Sequence, residues 1–157
     1  MKEKVYIETS IISYLTSRLS RDLIAAAQQQ VTQEWWENRR SHFDLYVSQL
    51  VIQEVDKGDE VAAAERINTL EEIPLLEMRM EALELAEKFI SSKSLPKKAS
   101  DDALHIAIST IYGLDYLLTW NCKHIANAEI QKKLGRISLE EGYEIPRICT
   151  PYELMGE

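Results

Sequence analysis

Cysteine is scarce in this sequence. Cys122 and Cys149 are the only two, far apart and at no zinc-ligand spacing, which excludes a disulfide framework and a structural zinc site. Five glycines and four prolines leave no flexible linker, internal repeat or low-complexity tract on which a domain boundary could rest, so residues 1–157 are expected to form a single domain. No apolar run approaches the roughly 20 residues that cross a bilayer, and Met1-Lys2-Glu3-Lys4-Val5 is no signal peptide. The expectation is a cytoplasmic protein with no membrane partner, its cysteines reduced.

Positive charge is also short. Eighteen Lys and Arg against 26 Asp and Glu leave a net charge of −8. A chain that held nucleic acid by general electrostatics would be basic, because phosphate neutralisation dominates such affinity. Either nucleic acid is not a ligand, or the carboxylates gather around metal ions that reverse the local sign.

What is present is an alternation of strands and helices. Val5-Tyr6-Ile7, Leu45-Tyr46-Val47, Pro74-Leu75-Leu76, Tyr116-Leu117-Leu118-Thr119 and Arg147-Ile148-Cys149 are short apolar runs with strand character. Leu23, Ile24, Ala27, Val31 and Trp35 mark one helix at a period near 3.6, and Leu83, Ala86, Phe89 and Ile90 another. Asp101 to Tyr112 reads as a third, stopped by Gly113. Trp35 and Trp36, adjacent on the first of these, read as core. Such alternation implies parallel strands joined by right-handed crossovers. The fold expected is an α/β protein, a three-layer α/β/α sandwich with a mainly parallel sheet of about five strands.

Ligands of such sheets lie beyond the carboxyl ends of the strands, where the residues are polar. Glu8 follows the first strand, and a carboxylate ending a central strand is costly without compensation; capping or pairing with a lysine are its plainer roles. By the period of two, Ser10 shares the face of Glu8 and Thr9 points away. Glu54 falls early in the helix after the second strand, a position that by itself fits a solvated residue. Asp101 and Asp102 open an otherwise apolar helix on which Asp102, His105, Ser109 and Tyr112 form a polar stripe. Ser100 or Asp101 suffices as the cap, which leaves Asp102 to ligate a metal, with Asp101 the weaker candidate. His105, one turn on, suits an orienting role. His124 could be ligand, substrate contact or loop histidine, and Lys97, Lys98, Lys123, Arg18 and Arg21 could reach phosphates. Hard oxygen ligands without a Cys/His cluster suit Mg²⁺ or Mn²⁺, and such ions assist phosphodiester hydrolysis.

The segments V-Y-I-E-T-S-I at 5–11, S-Q-L-V-I-Q-E at 48–54, D-D-A-L-H-I-A at 101–107 and L-L-T-W-N at 117–121 together resemble the PIN-domain family, and within it the VapC-type toxins of toxin–antitoxin pairs. The resemblance spans nearly the whole chain. It implies catalytic residues at Glu8, Glu54 and Asp102, a metal site completed by Asn121, and hydroxyl positions at Thr9, Ser10 and Thr119. Two positions depart from the family pattern: Glu8 stands where Asp is usual, and Asn121 where an acidic residue is usual. The implied activity is a Mg²⁺- or Mn²⁺-dependent ribonuclease. Its implied partners are an RNA substrate, an antitoxin protein and a second copy in a homodimer. A catalytically weak PIN module that binds RNA or protein is the alternative; a small phosphatase would need a nucleophilic Asp after the first strand.

Overall fold

The computed structural model describes residues 1–156. Five strands, β1 (Glu3–Ile7), β2 (Phe43–Ser48), β3 (Leu75–Leu76), β4 (Tyr116–Leu118) and β5 (Arg147–Cys149), form one sheet in the order β3-β2-β1-β4-β5. Every pairing is parallel. β1 is central, and its Val5, Tyr6 and Ile7 are fully buried, as a strand covered on both faces requires. The order reverses at β1, between β2 and β4, which is where an open α/β sheet leaves a crevice for a ligand.

Seven helices fill the crossovers: α1 (Thr9–Thr16), α2 (Leu23–Asn38), α3 (Gln49–Val55), α4 (Glu60–Leu70), α5 (Met80–Ser91), α6 (Ser100–Ile111) and α7 (Ala128–Glu140). The expected α/β/α sandwich is therefore observed, and its five strands fall where the apolar runs lie. α6 is the most deeply packed helix, burying Ala103, His105, Ile106, Ala107, Ile108, Ser109 and Thr110. It ends at Ile111 with Tyr112 as its C-cap, followed by Gly113 at φ +65°, a left-handed residue that terminates the helix as glycine readily does.

Three local expectations are corrected. α6 begins from Ala99 with no side-chain cap; the Ser100 hydroxyl donates back to the Lys97 carbonyl at 2.6 Å, because a short 3₁₀ turn over Lys97–Ala99 runs directly into the helix. On α2, Trp35 is fully buried, but Leu23 and Ile24 are 85% and 71% exposed, since the first turn of this helix extends past the body it packs on. On α5 the buried residues are Ala82, Leu85, Ala86 and Phe89, which rotates the face by one position and leaves Leu83 exposed. Cys122 and Cys149 are both free thiols. Among the described residues no helix is long and apolar enough to cross a membrane.

Candidate metal centre

β1 ends at Ile7, and Glu8 is the N-cap residue of α1, with extended φ and ψ. The chain therefore turns into a helix immediately after Glu8; Ser10 lies beside Glu8 as expected, but the reading that Thr9 points away is overturned. In the first helical turn both hydroxyls face the carboxyl edge of the sheet. Ser10 Oγ donates to Glu8 Oε1 at 2.5 Å, and Thr9 Oγ1 donates to Glu54 Oε1 at 2.5 Å.

Glu8 is only 6% exposed. Its Oε1 accepts a second bond, from Thr119 Oγ1 at 2.5 Å. Thr119 follows β4 directly and in turn accepts the Asn121 backbone N–H at 2.9 Å, while Ser10 Oγ accepts the Trp120 N–H at 2.8 Å. The ends of β1 and β4 are thus stitched together around one carboxylate oxygen.

Glu54 is next to last in α3, not early in it as the sequence suggested, because α3 is a helix of only seven residues. That position brings its carboxylate to His105. His105 Nε2 lies 2.6 Å from Glu54 Oε1, and His105 Nδ1 lies 2.7 Å from the Tyr6 hydroxyl, which is itself 2.7 Å from Ser48 Oγ. His105 does contact a carboxylate, but that carboxylate is Glu54 and not its helix neighbour Asp102. Burial would raise the Glu54 carboxyl; the hydrogen bond and charge of His105, the Thr9 hydroxyl and the charge of Lys57 outweigh it and hold the pKa below its ordinary value. Burial would lower His105, and here the hydrogen bond to Glu54 with the charges of Glu8, Glu54 and Asp102 prevail and raise it. Burial, with the charges of Glu8 and Glu54, keeps the Tyr6 phenol neutral against the opposing bond from Ser48.

Glu8, Glu54 and His105 each present one ligating atom within 4.8 Å of the others. Asp102 stands outside that tight group. Its Oδ1 accepts from Asn121 Nδ2 at 3.0 Å, and its Oδ2 lies 3.0 Å from His124 Nδ1. The Asn121 side-chain oxygen Oδ1 accepts the His124 backbone N–H at 3.1 Å, so both ends of this amide are engaged and Asn121 holds Asp102 toward the loop. Asp101 is exposed, as is Lys123.

Tyr6 and Ser48 are the residues that sequence reasoning missed. The signal was faint: a tyrosine two positions before Glu8 in an otherwise aliphatic strand, and a serine ending β2.

The donor set fits a hard divalent cation. Glu8 and Glu54 are each pinned through Oε1, with Oε2 carrying no hydrogen bond among the described residues. No Lys or Arg forms an ion pair with Glu8, Glu54 or Asp102 among the described residues. Glu8 is buried with only hydroxyl donors around it, while Glu54 and Asp102 are partly exposed and each lie beside a histidine. A cation would compensate Glu8, and oxygen ligands suit Mg²⁺ or Mn²⁺.

No family model and no curated protein matches the sequence. Solved structures match its fold. One chain of VapBC2 from Rickettsia felis, crystallised bound to a DNA fragment from their promoter, is 11% identical with a TM-score of 0.63, over 94% of this chain and 98% of that one. VapC20 from Mycobacterium tuberculosis, a toxin that cleaves the sarcin–ricin loop, is 14% identical with a TM-score of 0.59, over 76% of this chain and 91% of that one. The fold that the sequence resemblance implied is the fold found: this chain has the PIN-like architecture of VapC structures.

Proposed function

We propose that the protein is a divalent-metal-dependent ribonuclease of the PIN type, hydrolysing RNA phosphodiester bonds, with Glu8, Glu54 and Asp102 as its metal-binding and catalytic carboxylates. The observation that carries this reading is the convergence of Glu8 and Glu54, distant in sequence and without a lysine or arginine partner, at the carboxyl end of the central strand of a VapC-like fold. Mg²⁺ or Mn²⁺, when bound, supplies Lewis-acid activation of a phosphodiester and lowers the pKa of an attacking water.

The chain's own residues do the rest. Ser10 and Thr119 fix Glu8 through one oxygen and leave the other to ligate. Thr9 and His105 do the same for Glu54, and Tyr6 locks the imidazole behind it. Asn121, at a position that is usually acidic in the family, contributes no charge and acts by orienting Asp102. Lys123 and His124 stand in the adjoining loop as candidate phosphate contacts. The biological role that follows is a growth-inhibiting cytoplasmic toxin neutralised by an antitoxin, working as a homodimer.

Cleavage of a labelled RNA tests this directly. It should require Mg²⁺ or Mn²⁺, stop with chelator and leave linear phosphate ends, expected as 5′-phosphates, because a water-derived nucleophile bypasses the 2′-hydroxyl that would form a cyclic phosphate. Cyclic-phosphate ends, or full activity in chelator, would reject the metal mechanism. Tight Mn²⁺ binding with no cleavage of any RNA would favour a non-catalytic RNA- or protein-binding module, a reading that Asn121 supports by lowering the charge of the site.

A further inference from the structure

The opposite end of the sheet carries an unfinished edge. The ladder between β2 and β3 covers only Val47↔Leu75 and Ser48↔Leu76, although β2 begins at Phe43. Val47 donates its N–H to the Pro74 carbonyl at 3.1 Å, so Val47 faces β3. In a parallel ladder a residue's N–H and C=O point to the same side and alternate along the strand, so Leu45 faces β3 as well. The residue in register to donate to the Leu45 carbonyl is Pro74, which has no N–H. The proline ends the ladder, and Leu45 is left with an N–H and a C=O aimed at a missing neighbour.

That gap is a slot of about 670 Å³ with Leu45 in its lining. Trp36 and Arg40 line one part of it, and Thr69, Glu72, Ile73 and Pro74 another. Arg40 is stacked over the Trp36 ring at 4.8 Å, which directs its charge to the aromatic face. The carboxylates of Asp44 and Glu72 make no ion pair among the described residues. An exposed strand edge is usually blunted by a lysine, a bulge or a covering loop. Here the lining instead offers main-chain hydrogen-bonding groups, an aromatic surface and two free carboxylates.

We propose that this slot binds an extended, basic segment of another protein, which adds as a short strand beside β2 at Leu45. Main-chain groups call for a main-chain partner. Asp44 and Glu72 select basic side chains on it, and Trp36 and Ile73 pack its apolar ones. A second copy presenting its own β2 is a poor fit, because that edge lies inside the same kind of slot. The site lies at the opposite end of β2 from Ser48 and the carboxylate cluster, so such binding is independent of the proposed nuclease activity.

A fluorescein-labelled octapeptide of alternating lysine and valine is the probe, read by anisotropy and by hydrogen exchange of the full chain. Saturable binding is expected, with exchange of the Leu45 amide slowed about tenfold or more. Glu72→Lys should weaken binding, and a peptide N-methylated at alternate amides should lose it; neither change touches the fold of the β1–β2 ladder. Three results would overturn the proposal: no saturable binding, binding without protection of Leu45, or a concentration-dependent dimer that protects Leu45 with no peptide present.

Discussion

The two halves of the proposed metal site are held in different ways. Glu8 and Glu54 are anchored to the sheet and core: their partners are Thr9 and Ser10 at the start of α1, Thr119 after β4, and a buried chain from His105 through Tyr6 to Ser48. Asp102 is anchored to a loop, by Asn121 and His124. In the proposed site one wall is set in the sheet and core and the other in a loop, and the first is expected to be the rigid one and the second the adjustable one. The rigid wall would set where the proposed cation sits. The adjustable wall rests on side chains whose loss the fold would hardly notice.

Activity is the sharpest way to break that contrast. Asp102→Asn and Glu54→Gln each remove one negative charge from the proposed ion site while preserving shape. Each should cut RNA cleavage by about a hundredfold or more, measured at saturating Mn²⁺. Their stabilities should part company. Asp102→Asn leaves the thermal midpoint near wild type, whereas Glu54→Gln deprives buried His105 of its counter-charge and lowers it. Equal stability in the two variants would mean that the halves are anchored alike.

Removing hydrogen-bond partners probes the same contrast without touching a ligand. Tyr6→Phe strands the Nδ1 of fully buried His105 and should cost about 1–3 kcal/mol, or about 2–4 °C in thermal midpoint for each kcal/mol. His124→Ala removes a partly exposed contact to Asp102 and should cost under about 1 kcal/mol. Thermal unfolding of the two variants in chelator decides it.

Strand positions were legible because period and composition agree in a buried parallel sheet: Val5, Ile7, Leu117 and Leu118 can hardly do anything else. Glu8, Glu54 and Asp102 were legible as candidates through the family resemblance, since each alone has an ordinary role. Their supports were less so. Tyr6 is simply an aromatic in a strand until His105 is placed beside it, 99 residues away. Thr9 looked to point away from the cluster because the helix start lies one residue earlier than strand alternation allows. The role of Asn121 was the hardest to read: its amide links Asp102 to the backbone of His124 through the shape of a loop, and no periodicity encodes a loop.

Asn121→Asp sharpens the comparison from the loop side. The new carboxylate would replace an N–H donor that now lies 3.0 Å from Asp102 Oδ1. Without metal the two acids repel, and the fold should lose about 1–2 kcal/mol as one of them is driven to hold a proton. With metal the added charge should tighten Mn²⁺ roughly tenfold, because affinity for hard cations rises with ligand charge. Isothermal titration of the two proteins reads this. Unchanged affinity, with unchanged stability in chelator, would show that position 121 does not face the ion.

The gentlest effect is expected in the pH dependence of the metal-free protein, and it belongs to the rigid wall. Glu54 has its pKa below the ordinary 4.5, so its contribution to stability is present above that value and is lost as pH falls through the lowered folded pKa. His105 has its pKa above the ordinary 6.5, so its contribution is complete below that value and is lost as pH rises through the raised folded pKa. The pair therefore stabilises most between about 4.5 and 6.5 and fades on the alkaline side as the imidazolium loses its proton. In chelator the thermal midpoint of wild type should decline as pH rises past 6.5, relative to His105→Gln, whose profile should be flatter there. An alkaline slope that survives unchanged in His105→Gln would mean that the buried pair does not set it, and would overturn the reading of the rigid wall.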